Sequence, residues 1–272
     1  MKSPAAARAS SVVEEFERRA ARAETLLADG PAAPDALRFA AGLYRVQGRI
    51  AADLESAHAR EPLTGHLDRD AERFLDGAAA VVQYAARNGP ENLAETARAR
   101  REDSPATSRT RLLVYWTGGT SAGEDYLARA ALRPYVEFLR GATIAPDRIH
   151  RRGQCPFCGG APAVGARREG SLMEGARRLL ACSLCGGEWP FQRILCPACF
   201  EEDPHRLPSF QADRHPFVRI EACETCRRYV KSFDLSQDAR PIPEVDDLLS
   251  LSLDLWARSE GFERIEPGLA GL

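Results

Sequence analysis

Long apolar runs are missing from this 272-residue chain. None of its stretches approaches the roughly 18 consecutive apolar residues that a membrane span requires, so membrane insertion is not expected. A charge excess of one sign is missing too. Lys and Arg number 37 against 39 Asp and Glu, a formal net charge of -2. That balance argues against a general nucleic-acid binder, although local basic patches remain open. The first twenty residues lack an apolar signal core and carry Glu14, Glu15 and Glu17. Arg18-Arg19 is followed by Ala-Ala-Arg, not by an apolar run, so a cytoplasmic location is expected. The five histidines (58, 66, 150, 205 and 215) show no paired ligand spacing. Nor can a Ser/His/Asp or Cys/His set be assembled, so catalysis is not expected. The loop-like run from Trp116 to Glu124 lacks the Gly-Lys-Ser/Thr ending of a phosphate loop and reads instead as a loop with a helix N-cap at Ser121.

What the chain does have is eight cysteines, all between residues 155 and 226, as four Cys-x-x-Cys pairs: Cys155/Cys158, Cys182/Cys185, Cys196/Cys199 and Cys223/Cys226. The intervals between pairs are 23, 10 and 23 residues, a spacing that argues for two copies of one module. Where thiols stay reduced, such pairs point to metal ligands before disulfides. Two residues between cysteines let both thiolates of a tight turn face one ion, and two such turns give a tetrahedral four-sulfur site. The duplication favours serial pairing, with Cys155, Cys158, Cys182 and Cys185 as one site and Cys196, Cys199, Cys223 and Cys226 as the other. A cross-brace would exchange pairs between sites. Two metal ions are expected, and an all-thiolate tetrahedron suits iron or zinc alike. Gly159 and Gly186 follow their pairs, whereas Phe200 and Arg227 stand at the matching positions of the second copy. The turns of the second copy are therefore expected to be more strained or differently shaped. His205 and His215 fall within that copy and are read as surface or hydrogen-bonding residues. Doubled arginines (151–152, 167–168, 177–178 and 227–228) give the modules a basic tint.

Residues 1–146 read as an all-α domain. Ser11-Val-Val-Glu14 has the form of a capping box, and Val12, Phe16, Ala20, Ala23 and Leu27 follow at helical spacing. A second helix opens at Pro34 and is closed off by Pro62. A third is expected from Leu67 to Arg87, stopped by Asn88-Gly89-Pro90. Shorter helices are expected over 91–101 and 107–117. A last one begins at Ser121, carries Leu127, Ala131, Tyr135, Phe138 and Leu139, and ends at a Gly141 C-cap, with Pro134 expected to kink it. The fold class expected is α+β: this helical domain, two tandem rubredoxin-like or zinc-ribbon-like modules over 147–192 and 193–238, and a C-terminal helix and tail over 239–272. One amphipathic helix bearing Val245, Leu248, Leu249, Leu251, Leu255 and Trp256 should pack back on one of the other modules.

Several runs resemble the FdhE family of formate dehydrogenase accessory proteins. They are Cys155-Pro-Phe-Cys158-Gly159, then Arg178 to Cys185 with Trp189, Arg193 and Cys196-Pro-Ala-Cys199, and Glu221-Ala-Cys223 through Tyr229-Val-Lys231. The tail, Leu253-Asp-Leu255 through Phe262 with Gly268-Leu-Ala-Gly271, is similar as well, and so is Leu132-Arg-Pro134. The resemblance implies a cytoplasmic, non-enzymatic factor required for making active formate dehydrogenase. It implies as partner the catalytic subunit, a molybdenum or tungsten enzyme, and it brings iron level with zinc at the cysteine motifs. A homodimer is a further expectation. The alternatives are a rubredoxin-like iron electron carrier and a zinc-ribbon nucleic-acid-binding protein.

Overall fold

A computed structural model of the chain describes residues 11–30, 33–120, 123, 125–169, 177–236 and 238–271. The fold is α+β. Its helical part begins with α1 (Val12–Ala28), whose capping box is complete: Ser11 Oγ accepts from Glu14 N–H and the Glu14 carboxylate accepts from Ser11 N–H. α2 (Pro34–Arg60) follows. The helix expected over 67–87 is broken. α3 (Leu67–Asp70) passes into a 3-10 turn at Ala71–Arg73 before α4 (Leu75–Asn88) starts. The break has a local cause. The buried Asp70 carboxylate accepts from the backbone N–H of Thr64 and Gly65 and from Tyr135 O–H. Phe74 leaves helical φ (-137°), and its ring stacks on Tyr135 with centroids 5.0 Å apart. α5 (Glu91–Arg100) and α6 (Pro105–Trp116, capped by Ser104) complete the layer around the central helix, α7 (Tyr126–Gly141).

α7 starts later than its sequence suggests. Asp125, not Ser121, is its N-cap and accepts from Ala128 N–H; residues 121, 122 and 124 lie outside the described set. Gly141 is still helical, and Ala142 is the C-cap. Every residue from Leu127 to Leu139 is buried, including Arg129, Arg133 and Glu137. A helix buried all round must satisfy its polar stripe inside the protein. Arg129 donates to Glu266 and to the carbonyl of Pro267. Arg133 and Glu137 join Arg19 of α1 and Glu244 of the tail in a four-membered ionic cluster.

The two cysteine modules together form six strands of one seven-stranded sheet, the seventh coming from the tail. β1 (Pro162–Arg168), β2 (Arg177–Cys182) and β3 (Glu188–Pro190) belong to the first copy. β4 (Ser209–Gln211), β5 (Val218–Ala222) and β6 (Arg228–Asp234) repeat that pattern in the second. The order is β3-β2-β1-β6-β5-β4, antiparallel within each copy, with β1 and β6 parallel at the seam, Val164 opposite Lys231. β7 (Glu263–Arg264) pairs β6 outside this path.

The tail does not make the single amphipathic helix expected. It forms α8 (Pro243–Asp246), a 3-10 turn (Asp247–Ser250) and α9 (Leu251–Ser259). Nor does it pack on one module alone. Ile242, Val245 and Leu248 join the core under α1 and α2, while Leu253, Ala257 and Phe262 join the core of the sheet. Leu255 is left at the surface. The bend between the two pieces brings Asp247 and Asp254 to Lys231 of β6 at 2.9 and 2.5 Å. Arg264 donates to Asp247 at 2.9 Å and, across the seam, to the carbonyl of Ala163. Lys231 and Asp254 are fully buried.

Candidate metal centres

The four cysteine turns share one backbone path. In all four the N–H of the first cysteine donates to the carbonyl five residues on, Cys155 to Gly160, Cys182 to Gly187 and Cys196 to Glu201. Cys223 does the same to Arg228. The residue after each pair lies in the left-handed region: Gly159 (φ 66°), Gly186 (64°), Phe200 (65°) and Arg227 (57°). The expectation of a differently shaped turn in the second copy is thus corrected, and the strain falls on two residues with a Cβ, about 1–2 kcal/mol each. Tertiary contacts hold both. Phe200 lies 4.3 Å beneath the Arg152 guanidinium, and Arg227 lies 3.8 Å above the Phe262 ring and donates to the Glu260 carbonyl. A glycine would make neither contact.

These turns gather the sulfurs serially. Cys155, Cys158, Cys182 and Cys185 form one set and Cys196, Cys199, Cys223 and Cys226 the other, each with all four Sγ atoms within 4.8 Å. Between the two pairs of a set the sulfurs lie 3.6 Å (Cys155–Cys185) and 3.4 Å (Cys158–Cys182) apart in the first, and 3.7 Å (Cys196–Cys226) and 3.6 Å (Cys199–Cys223) apart in the second. A disulfide needs about 2.05 Å. A tetrahedron with metal–sulfur bonds of about 2.3 Å has edges of about 3.8 Å, so the donor sets fit metal ions and both could hold one.

The thiols of each set also act on one another. Hydrogen bonds from Cys158, Cys182 and Cys185 hold the Cys155 thiol far below the usual thiol range. Its bond to Cys155 is the main cause pushing Cys158 up, and burial is the main cause for Cys182. In the second set burial pushes Cys196 and Cys226 up. Burial opposes ionisation of Cys223 too, but backbone N–H groups and the Cys199 thiol carry it below the usual range. A first thiolate is favoured, and further negative charge is resisted by the neighbouring thiols and by burial, which is the resistance a central cation would remove.

The surroundings differ. Set one is buried throughout, its cysteines 0–3% exposed, and belongs to the large helical core. Arg140 of α7 donates to the Cys185 carbonyl, and a side chain at Gly160 would sit 2.6 Å from Cys182 Sγ. In set two Cys196 and Cys223 are buried, Cys226 is half-buried and Cys199 is exposed. The positions matching Gly160 and Gly187 hold Glu201 and Arg228, and Glu201 accepts from Thr225 Oγ at 2.5 Å across the two turns. His205 and His215 stay outside both sets; His215 Nε2 meets Ser252 Oγ at 3.1 Å.

The basic pairs mostly tie the structure together. Arg178 pairs with Glu221 at 2.7 Å across the two copies, Arg168 with Glu188, and Arg152 stacks on Phe200. Sequence reasoning missed the two buried ionic clusters. Their faint signals were a lysine inside an apolar strand (Tyr229-Val-Lys231) and an aspartate between leucines (Leu253-Asp-Leu255).

Two family models match, "FdhE, central domain" over residues 154–193 and "FdhE, C-terminal domain" over 194–269. An FdhE homolog from Aquifex aeolicus is 34% identical over 120 residues, 44% of this chain and 42% of that protein. One from Pseudomonas aeruginosa is 33% identical over 57% of this chain and 54% of its own length, so the chain aligns with about half of these relatives. One from Shewanella oneidensis is 26% identical over 91% of this chain and 85% of its own. The crystal structure of the FdhE protein from Pseudomonas aeruginosa superposes with a TM-score of 0.68 at 26% identity, covering 97% of both chains. Both matched models begin within one or two residues of a cysteine pair and together take in all eight cysteines. With its helical layer, seamed sheet and doubled cysteine set, the chain is similar in fold to an FdhE protein along nearly its whole length, and its residues 154–269 match the central and C-terminal domains of FdhE.

Proposed function

We propose that this chain is an accessory factor for the assembly of active formate dehydrogenase and that it binds the catalytic subunit. We further propose that Cys155, Cys158, Cys182 and Cys185 hold one metal ion and Cys196, Cys199, Cys223 and Cys226 a second, iron or zinc. The division of the chain at 146, 192 and 238 belongs to the same reading, as does a cytoplasmic, non-enzymatic role. The observation that carries it is the match to the FdhE central and C-terminal domains over the whole cysteine frame, with all eight sulfurs gathered into two clusters of four. In a bound state each ion would neutralise its thiolates and join two turns into one rigid knuckle. The protein's own residues then do the rest: strands and tail hold the two knuckles in fixed relation, as a recognition frame. A pull-down from formate-grown cells should recover the catalytic subunit, whereas normal formate dehydrogenase activity in a deletion strain contradicts the proposal. Electron transfer is the second reading, favoured by the exposure of Cys199. It requires iron and a reversible visible spectrum, and protein that carries only zinc as isolated rules it out.

A further inference from the structure

We propose that the second cysteine set is the exchange position of the protein, where a soft-metal ligand from solution, a free thiol or a chelator, gains access to the bound ion, and that the first set is closed to it. The inference rests on the metal reading given above and goes beyond it by assigning the two sets different work.

Access is the first argument. Ligand exchange at a four-thiolate site is associative, so an incoming donor must reach the ion before a sulfur leaves. In set one no cysteine is more than 3% exposed. α7 caps the set through Arg140, and side chains at Gly186 would run into Arg19 and Glu137, so the helical domain lies against the second turn. In set two one edge, Cys199 with Cys226, faces solvent while Cys196 and Cys223 stay buried. The set can therefore yield two ligands without loss of the two that anchor it to the sheet. The step balances. With an ion bound, an incoming thiol RSH would take the place of the Cys199 sulfur and its proton would pass to the freed Cys199 thiolate, so that the number of sulfurs would be unchanged. A second thiol repeats this at Cys226.

Control is the second argument. The two turns of set two are joined over their outer side by the Thr225 hydroxyl, which donates to Glu201, while the other Glu201 oxygen accepts from the N–H groups of Glu202 and Asp203. Set one has glycine, Gly160, where Glu201 stands, and so lacks any such clasp. The clasp restrains the parting of the Cys199 and Cys226 turns, and its strength sets the rate of exchange.

The experiment uses the full chain loaded with cobalt(II), whose thiolate absorption reports each site. Metal is counted first and then withdrawn with EDTA, with glutathione in a parallel run. Two equivalents should leave in separate phases. Iodoacetamide labelling after the fast phase should mark Cys196, Cys199, Cys223 and Cys226 and spare the other four. Glu201→Ala should quicken the fast phase about tenfold and leave the slow phase unchanged, while Glu201→Gln, which keeps an acceptor for Thr225, should restore much of the original rate. Two equivalents leaving in one phase, or labelling that falls first on Cys155 to Cys185, overturns the proposal while leaving the metal reading intact. A chain that binds no cobalt overturns both.

Discussion

The two cysteine sets follow the same backbone path and each gathers four sulfurs within 4.8 Å of one another, yet one is core and the other is rim. Set one uses glycines at both special positions of its turns, and the helical domain closes over it. Set two puts Phe200 and Arg227 in the left-handed region and turns their side chains to neighbours, the 151–153 loop and the 260–262 tail. The difference teaches that a duplicated module need not keep duplicated jobs. The first copy is built into the hydrophobic core, while the second spends its special residues on anchorage and leaves two sulfurs in reach of solvent.

The largest effect expected from breaking this comparison is at set one. Cys158→Ser should cost on the order of 5 kcal/mol, because it would remove a proposed ligand and leave a hydroxyl in a sealed core. Cys199→Ser at the exposed edge should cost about 2 kcal/mol or less. Urea unfolding of both variants measures the gap, and equal losses would erase the distinction.

Next comes the seam. Lys231, Asp247, Asp254 and Arg264 are two cations and two anions almost closed to solvent, tying β6 to the tail. Asp254→Ala strands buried positive charge and should cost about 3–5 kcal/mol. The paired change Lys231→Met with Asp254→Leu should cost less than Asp254→Ala alone, a difference read from the same unfolding curves.

The seam also sets the acid response. Burial pushes the Asp247 carboxyl up, but Arg264 and Lys231 outweigh it and leave it below the ordinary 3.8. Arg133 and Arg19 do the same for Glu244 against the ordinary 4.5. A carboxyl depressed in the folded state adds stability that is complete above its unfolded value and is lost as pH falls through the folded one. Stability should therefore hold above about pH 4.5 and fall below about pH 4. Asp247→Asn, weaker at pH 7, should lose less over that acid range when urea midpoints are compared.

The smallest effect is at the strained turns. Phe200→Gly relieves about 1–2 kcal/mol of backbone strain but loses the Arg152 contact, so its unfolding free energy should move by only about 1 kcal/mol. Gly159→Phe should cost much more, since even a Cβ there would lie 2.4 Å from the Ile149 carbonyl.

Much of this was legible beforehand, for physical reasons. Cysteine spacing encodes the two sulfur clusters because the geometry of each Cys-x-x-Cys turn is local, and the capping box at Ser11 and the stop at Pro62 are local signals too. What sequence hid was set by distant partners. The break at Asp70 depends on Tyr135, sixty-five residues away. The parallel seam of β1 and β6 and the buried charges around Lys231 exist only once the two copies and the tail meet. The left-handed Phe200 and Arg227 broke a local rule, and their compensation, Arg152 and Phe262, lies elsewhere in the chain.

The most direct test of the central claim is metal analysis with X-ray absorption on protein purified without air or added zinc. The account predicts two ions per chain, each with four sulfur neighbours at about 2.3 Å. One ion per chain, nitrogen or oxygen in the coordination shell, or sulfur–sulfur distances of disulfide length would contradict it.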